Sequence, residues 1–318
     1  MQKSAKSFSI CYIVIMTTDP WGPGAIDLVI FTVADPRYFG SLLWDKSLVS
    51  FGNSNPAEHE GLSLFVVTVP ISPDLYKYPE GTRVLPGGFL QYTETLENGA
   101  KRIALDKLGL NFDKVTANLK QLGTFDEPDR DHRGRTVSFA YWAIVNFEDI
   151  RRYLGGKDQV GLELVNSQRY MDEFEEKIGR LEDYDGVSRF GYRTMPSPSL
   201  FSGHQKRLTA EMPSGKILGQ DHDNMVFYAW RKLRHAFNIR MNPFAVLGLN
   251  PIGEEFRLSD LQELAEVCRG ERIQRDFFRR NVMNFNLIQP SGNLDRSRPG
   301  KPAKMYKTSD PDDYLGKD

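Results

Sequence analysis

Residues 88–110 read GFLQYTETLENGAKRIALDKLGL, and this stretch decides the fold of the first half of the chain. Its apolar residues recur every three to four positions between Leu96 and Leu108, which predicts an amphipathic helix. Glu94 and Thr95 open this helix. Gly109 stands at a C-cap position, which favours glycine because the backbone there is left-handed. The stretch therefore predicts a glycine turn that runs into one well-marked helix.

Apolar segments of strand length lie on both sides of this helix. The predicted strands cover residues 26–33, 61–69, 119–125 and 136–145. A short extended piece at 83–89 leads into the glycine turn, and the polar residues 35–60 are expected to form a long loop or a short hairpin. Strands around a single helix predict a mixed α/β domain over residues 26–150, preceded by an N-terminal extension over residues 1–25.

The composition excludes several classes of protein. Of the 318 residues, 40% are hydrophobic and 26% are charged, which excludes wholesale disorder. The longest apolar runs are far shorter than the roughly 20 residues that cross a bilayer, so no membrane partner is expected. Cys11 and Cys268 lie too far apart in sequence to indicate a disulfide framework or a metal site. Because no small-residue cleavage site follows the apolar residues near the N-terminus, the expected location is cytoplasmic.

The spacing of residues in and before the first helix resembles the Nudix box, Gly-x5-Glu-x7-Arg-Glu-U-x-Glu-Glu-x-Gly-U, where U is a bulky apolar residue. Gly88, Glu94 and Arg102 match this pattern. The resemblance implies an α+β protein whose first domain is a Nudix-like α/β/α sandwich. Nudix hydrolases cleave nucleoside diphosphates linked to another group, and they use Mg²⁺ or Mn²⁺ to do so. The three glutamates that follow the arginine in the pattern correspond here to Ile103, Asp106 and Lys107.

These three positions decide the expectation about catalysis. A hard cation needs oxygen ligands, and the glutamates of the pattern supply them from one helix face. Lys107 places an ammonium group where the cation would lie, which opposes metal binding by several kcal/mol. We therefore expect no bound metal, no required cofactor, no catalytic residue and no hydrolysis. The alternative is a metal site rebuilt from the carboxylates of Asp126, Glu127 or Asp129.

A charged turn joins the third and fourth predicted strands. Residues 125–141 are similar to the stretch F-x-x-P-D-R-D-x-R-G-R-x-x-S-x-A-Y of the ADP-ribose-related Nudix branch. Arginine side chains present planar forks that suit a diphosphate, and aromatic side chains pack against a base or a sugar. The predicted effector-binding residues are Arg83, Glu94, Arg102, Phe125, Asp129, Arg130, Arg133, Arg135 and Tyr141. The alternative is a surface turn in which neighbouring aspartates and arginines pair with one another.

The middle of the chain is less informative. Residues 151–219 are expected to be an insertion or linker of unknown role that completes the first domain, with a possible amphipathic helix at 170–181. Residues 220–252 form a linking segment, in which helical periodicity over 223–237 predicts a helix. We expect this helix to relay the ligand state and to contribute to a dimer contact.

The last module, residues 253–308, has the order of a winged helix-turn-helix domain and is followed by a tail at 309–318. Its first helix is expected to begin at Ser259 as N-cap, with Gln262 completing a capping box, and to end at Gly270. The second helix covers residues 273–284, and its predicted inward side chains are Ile273, Phe277, Phe278 and Val282. Two strands, at 287–289 and 303–306, then enclose a loop over residues 290–302.

This module is basic, with eleven Lys and Arg residues against eight Asp and Glu residues. It resembles the C-terminal winged helix of the Nudix-related transcriptional regulators, on the residues 256–262, 278–280 and 298–306. Bunched positive charge on a winged helix is typical of a surface that binds nucleic acid. The predicted DNA-binding residues are Arg272, Gln274, Arg275, Arg279, Arg280, Arg296, Arg298, Lys301 and Lys304.

The resemblance implies a transcription regulator, expected to act as a repressor, that senses ADP-ribose or a related nucleotide or sugar metabolite. Its partners would be double-stranded operator DNA, of genes for NAD metabolism or sugar utilisation, and a second copy of the chain. A two-fold dimer is expected because one winged helix covers too little DNA for high specificity. Two alternatives remain: an active Nudix pyrophosphohydrolase with an accessory DNA-binding domain, and a non-enzymatic protein whose winged helix binds another protein.

Overall fold

The computed structural model describes residues 21–165, 218–237 and 252–309 of the chain. Short gaps within these ranges fall at 38, 41–44, 46–47, 52–60, 72–80, 116, 129, 132–134, 157–158, 220, 285 and 298–299. The helix predicted at 170–181 lies outside the described residues, as do the N-terminal extension up to residue 20 and the tail from residue 310. No helix in the described ranges is long and apolar enough to cross a membrane.

The first domain is built on one mixed sheet. Its strands are β1 (Trp21–Ala34), β2 (Val49–Ser50), β3 (Ser63–Pro70), β4 (Arg83–Val84), β5 (Gly87–Gln91), β6 (Lys120–Phe125), β7 (Val137–Asn146) and β8 (Gly161–Leu164). The main order is β2-β8-β3-β1-β7-β6, with β4 paired to β3 and β5 paired to β1. β1 is the central strand, antiparallel to β3 and parallel to β7. All four strands predicted from apolar segments are confirmed.

The predicted helix of the Nudix-box stretch is α1 (Leu96–Leu108), and both of its predicted ends are confirmed. The hydroxyl of Thr95 accepts a hydrogen bond from the backbone N–H of Asn98, which satisfies one free donor of the first turn. Gly109 ends the helix with φ = 66°, in the left-handed region that glycine adopts without strain. The buried face of α1 packs against β1 and β5. This packing places the Nudix-box residues beside the central strand.

Two strands of the first domain were not predicted. The sheet extends into the residues expected to complete the first domain, because β8 lies between β2 and β3. The short strand β2, in the region expected to be a loop or a hairpin, pairs in parallel with the distant β8. Neither strand is long enough to show a hydrophobic period, so only the tertiary structure reveals them. A short helix, α2 (Phe147–Arg151), connects β7 to this edge of the sheet.

The predicted helix over 223–237 is confirmed as α3 (His222–Ala236), and it is apolar around most of its circumference. A helix of this kind is buried on several sides. Trp230 of α3 is fully buried in a core cluster that also contains Phe31 of β1 and Leu264 of the following domain. One continuous core therefore runs from the sheet through α3 into the last domain.

The last domain contains the helices α4 (Leu258–Arg269) and α5 (Arg275–Asn284) and the strands β9 (Phe256–Arg257), β10 (Ile288–Asp295) and β11 (Ala303–Thr308). The three strands form a sheet in the order β10-β11-β9, with antiparallel pairing. Gly270 ends α4 in a left-handed conformation, as predicted. The helix-turn-helix and hairpin of a winged helix are thus present, and the α+β class is confirmed.

Details of the last domain differ from the expectations. Helix α4 begins two residues earlier than expected: Arg257 is its N-cap, and the carboxylate of Asp260 accepts the Arg257 backbone N–H at 3.3 Å. Ser259 therefore lies inside the first turn. Phe277 was expected to point inward, but it is 46% exposed, because Phe278 and Val282 occupy the buried side of α5. The hairpin strands are longer than predicted, and the two-residue strand β9 was missed.

The structure predicts different effects for two leucines of α1. Leu108 is fully buried, whereas Leu105 is 49% exposed. We expect Leu108→Ala to lower the free energy of unfolding by about 2–5 kcal/mol through lost packing and a cavity. Leu105→Ala, the matched control with the same change in helix propensity, should cost less than about 1 kcal/mol. Urea denaturation of both variants measures the difference; equal losses would contradict the orientation of α1.

Candidate functional site

Glu94 and Arg102 of the Nudix-box stretch bind one another. The carboxylate of Glu94 accepts hydrogen bonds from Arg102 Nη2 at 2.8 Å and from Arg102 Nε at 2.9 Å. It also accepts the backbone N–H of Gln91 at 2.8 Å, and Arg102 donates to the carbonyl of Phe89 at 3.0 Å. The hydrogen bond from Arg102 lowers the pKa of Glu94. The pair connects α1 to β5, so these two predicted effector-binding residues have a structural role in the described fold.

The three positions that diverge from the Nudix pattern do not form a cation site. Ile103 is only 2% exposed and packs against Gly88, so its side chain belongs to the core. The side chain of Asp106 is 57% exposed and lies 3.6 Å from Arg102 Nη1, while Lys107 is exposed. The one acidic side chain of the three is thus next to a guanidinium group. This donor set does not fit Mg²⁺ or Mn²⁺, which need several oxygen ligands.

Two of the three carboxylates considered as replacements fall within the described residues. Asp126 and Glu127 are partly exposed on the turn after β6, and Asp129 lies outside the described residues. Among the described residues, no group of three or more His, Cys, Asp or Glu side chains is placed to hold a metal ion. We derive no catalytic step through a metal from this arrangement.

Arg130 lies at the centre of a buried cluster of charges. Its side chain is 2% exposed, and it donates to the carboxylate of Asp221 from Nε at 3.1 Å and from Nη2 at 3.0 Å. Nη2 also lies 3.3 Å from Asp27 Oδ2, which accepts the hydroxyl of Ser138 at 2.6 Å. Burial lowers the pKa of Arg130, but the charges of Asp27 and Asp221 outweigh it and raise the pKa. Arg130 thus joins β1 to the N-terminus of α3, where Asp221 is the N-cap.

His222, the first residue of α3, completes this cluster. Its Nδ1 accepts the backbone N–H of Leu85 at 2.9 Å, so in the neutral ring the proton is on Nε2. Nε2 is buried, has no hydrogen-bond partner among the described residues, and lies 3.7 Å from Asp27 Oδ1. Burial lowers the pKa of His222 even though Asp27 opposes this effect. A neutral histidine therefore links the segment before β5 to α3.

Arg83, another predicted effector-binding residue, is also internal. Its Nε donates to the hydroxyl of Thr68 at 2.7 Å, and its Nη2 donates to the carbonyls of Thr68 and Gln159 at 2.8 Å. Glu163 of β8 lies 3.8 Å away, and burial raises the pKa of its carboxyl group although the charge of Arg83 opposes this. The carbonyl of Arg83 accepts the N–H of Gly219, just before α3. Arg83 thus joins β3, β4 and β8.

The remaining predicted effector-binding residues lie on both sides of the turn after β6. Phe125 is buried and its ring contacts Tyr228 of α3 edge to face, with centroids 6.1 Å apart. Tyr141 is buried in the sheet, whereas Arg135 is exposed and donates to the carbonyl of Asp126. Asp129 and Arg133 lie outside the described residues. The structure therefore places Phe125 and Arg130 against α3. Arg135, the other arginine of the turn that the structure describes, lies at the surface.

Sequence reasoning missed Asp27, Asp221 and His222, although one signal was present. Asp27 is an isolated acidic residue within a run of apolar strand residues, which indicates a buried charge with a partner. The partner could not be identified, because Arg130 is more than a hundred residues away in the sequence.

The predicted DNA-binding residues form an exposed basic surface on the winged helix. Exposed residues of and next to α5 are Arg272, Gln274, Arg275, Arg279 and Arg280, and those of the hairpin are Arg296, Lys301 and Lys304. Arg298 lies outside the described residues. Arg272 differs from the rest, because its Nη1 donates to the carboxylate of Glu266 at 2.8 Å.

A set of hydrogen bonds fixes the angle between α4 and α5. The carboxylate of Glu266 accepts the backbone N–H of Ile273 at 3.1 Å and the side-chain amide of Gln262 at 2.9 Å. The same amide donates to the carbonyl of Ile273 at 2.9 Å. Because the N–H and the carbonyl of Ile273 are both hydrogen-bonded to side chains of α4, the conformation of the turn between the helices is fixed. The direction in which α5 presents its arginines is fixed with it.

The winged helix is attached to the first domain by polar contacts as well as by the common core. The carboxylate of Glu263 on α4 accepts the backbone N–H of Leu62, just before β3, at 2.7 Å. Arg234 near the end of α3 donates to the carbonyl of Arg269 at 3.1 Å. These hydrogen bonds tie α4 to the start of β3 and to the end of α3.

Comparison with known proteins agrees with this architecture. Residues 248–308 match the family of the NrtR DNA-binding winged helix domain. The "ADPR responsive transcriptional repressor NtrR" of Acinetobacter baylyi is 23% identical over 235 residues, which cover 72% of this chain and 71% of that protein.

Two solved structures are similar to the chain over most of its length. NrtR of Shewanella oneidensis in complex with a 27mer DNA superposes with a TM-score of 0.55 and 21% identity, covering 92% of this chain and 96% of the other. A MutT/nudix family protein of Enterococcus faecalis gives a TM-score of 0.51 and 16% identity, covering 92% and 87%.

The fold defines a two-domain protein in which a Nudix-type domain carries a winged helix-turn-helix domain. Residues 248–308 match the model of the NrtR winged helix family, and the chain is similar to NrtR in fold over most of its length.

The charge cluster predicts a large effect of Arg130 on stability. Arg130→Ala leaves the buried carboxylates of Asp27 and Asp221 without their cation, so we expect the free energy of unfolding to fall by about 3–5 kcal/mol. Arg135→Ala, in the same turn but exposed, is the control and should cost about 0.5 kcal/mol or less. Urea denaturation followed by tryptophan fluorescence measures both; a stable Arg130→Ala variant would disprove the buried pairing.

Proposed function

We propose that the chain is a transcription repressor whose Nudix-type domain binds ADP-ribose or a related nucleotide or sugar metabolite without hydrolysing it. In this proposal the winged helix binds operator DNA of NAD-metabolism or sugar-utilisation genes. The observation that carries the proposal is the exposed basic surface of α5 and the hairpin on a winged helix of the NrtR family. The similarity to an ADP-ribose-responsive repressor and to a DNA-bound NrtR supports both the ligand and the partner.

The winged helix binds DNA in a defined orientation in this proposal. The N-terminal part of a recognition helix lies in the major groove, so Gln274, Arg275 and Arg279 would face base edges or phosphates there. Arg296, Lys301 and Lys304 of the hairpin would contact the backbone. A homodimer would place two α5 helices on two half-sites, which gives the specificity that one winged helix lacks.

The same contacts explain how a ligand would change DNA binding. A diphosphate bound by Arg135 and its neighbours acts on the turn that contains Arg130, and Arg130 holds Asp221 at the N-terminus of α3. Since α3 shares a core with α4, a shift of the turn alters the position of the winged helix. The coupling free energy of such a link is typically about 1–3 kcal/mol.

The donor set at the Nudix box supports the proposed absence of hydrolysis. Ile103 and Lys107 supply no oxygen ligand, and Asp106 lies beside Arg102. A ligand that remains intact can report its own concentration, as a regulatory signal requires. The chain would act as a sensor and not as a pyrophosphohydrolase.

The DNA-binding surface can be tested with a matched pair of double variants. We expect Arg275→Ala with Arg279→Ala to weaken binding to a duplex selected by the full-length protein by about 1–3 kcal/mol per lost base contact. Arg151→Ala with Arg152→Ala removes the same charge from exposed positions on and next to α2 and should leave the affinity nearly unchanged. Fluorescence anisotropy at several salt concentrations measures both affinities. If the winged helix binds protein instead, the chain will select no duplex whose affinity falls steeply with salt concentration.

The ligand proposal makes a combined prediction about binding and turnover. ADP-ribose should raise the melting temperature of the chain and weaken its affinity for the selected duplex by about 5- to 150-fold. Incubation with ADP-ribose and Mg²⁺ or Mn²⁺ should release no AMP. Ordinary metal-dependent turnover would instead support the pyrophosphohydrolase, and indifference of DNA binding to ADP-ribose would remove the regulatory proposal.

A further inference from the structure

The recognition helix α5 carries an exposed aromatic ring that the proposed function does not use. Phe277 is 46% exposed, whereas its neighbour Phe278 and Val282 fill the core side of the helix. The large exposed hydrophobic residues in the described part of the chain are Tyr92, Leu105, Phe277 and Leu294. Phe277 is the one of these that lies on the helix expected to enter the major groove.

The polar side chains beside Phe277 are directed along the helix. Asn281, one turn later, donates its amide to the backbone carbonyl of Phe277 at 2.8 Å. Arg280 donates from Nε to the carbonyl of Asp276 at 3.3 Å. Because these two groups bond to the helix backbone, the ring of Phe277 remains accessible between them.

The charge of α5 as a whole indicates an anionic partner. The helix carries Arg275, Arg279 and Arg280 against a single acidic residue, Asp276, and of the three arginines Arg280 lies one turn from Phe277 on the same face. An apolar protein surface would leave these guanidinium groups without compensation, whereas phosphates compensate them. In the major groove the apolar group that a base presents is the C5-methyl of thymine, and phenylalanine is one of the side chains that contact it.

We infer that Phe277 reads a thymine methyl group in the major groove, so that each operator half-site contains a T·A pair facing the first turn of α5. This inference rests on the proposed DNA-binding function and adds a determinant of sequence specificity to it. The arginines then supply affinity and guanine or phosphate contacts, while the ring discriminates thymine from cytosine, which has no such methyl group.

Replacement of thymine by deoxyuridine tests the inference, since it removes the methyl group and leaves the hydrogen-bonding edge unchanged. The full-length chain first selects a duplex from a randomised pool, and each thymine is then replaced in turn. We expect one replacement per half-site to weaken binding by about three- to fivefold, the value of one buried methyl group. With Phe277→Ala, the same replacement should have no effect.

Leu294→Ala, on the exposed hairpin, is the control and should leave the deoxyuridine effect unchanged. The inference is overturned if every replacement affects the wild type and Phe277→Ala equally. It is also overturned if Phe277→Ala changes the sedimentation of the DNA-free protein without any coupling to thymine, because the ring would then contact another copy of the chain. Failure to select any duplex would overturn the proposed function itself, which distinguishes the two outcomes.

Discussion

The position of α3 on the sheet of the first domain depends on the pairing of Arg130 with Asp27 and Asp221. Buried charges are tolerated only when they are paired and hydrogen-bonded, and here one guanidinium group compensates carboxylates from the central strand and from the N-cap of α3. Separating either carboxylate from Arg130 would leave a charge in the core without its ion pair. The pairing therefore holds the turn, the sheet and α3 in one relative position. His222 adds a hydrogen bond from the same helix end to the segment before β5.

In the Nudix-box helix α1, the residues that hold the fold differ from those that would bind a metal ion. Glu94 and Arg102 keep their mutual hydrogen bonds, and Gly109 still ends the helix, so α1 packs against the sheet in the way the pattern predicts. Ile103 has joined the core, and Lys107 points to solvent. The fold therefore does not need the acidic side chains, because a metal site contributes chemistry at the surface of α1 and no packing beneath it.

A continuous path of contacts leads from the Nudix-type domain to the DNA-binding surface. α3 shares its apolar core with α4, Glu263 accepts the N–H of Leu62 beside β3, and Gln262 with Glu266 holds the turn before α5. Packed cores transmit displacements because they contain little free volume. In the proposed regulator, a small change at the charged turn would therefore alter the direction of both α5 helices of a dimer and their fit to two half-sites.

The sequence alone determined the local elements of this protein. Hydrophobic periodicity, a capping residue and a glycine predicted α1 between its caps Thr95 and Gly109, and a glycine predicted the end of α4 at Gly270. These signals could be recognised because the residues that carry them lie close together in sequence. Tertiary structure decided which side chains were available. Arg83 and Arg130, both predicted to bind the effector, are paired with carboxylates distant in sequence, and β8 joins the sheet from a segment in which the sequence indicated no strand. Phe277 is exposed because the packing of α5 against the core decides which face of the helix is buried. Burial and long-range pairing are properties of the folded chain and cannot be read from local sequence.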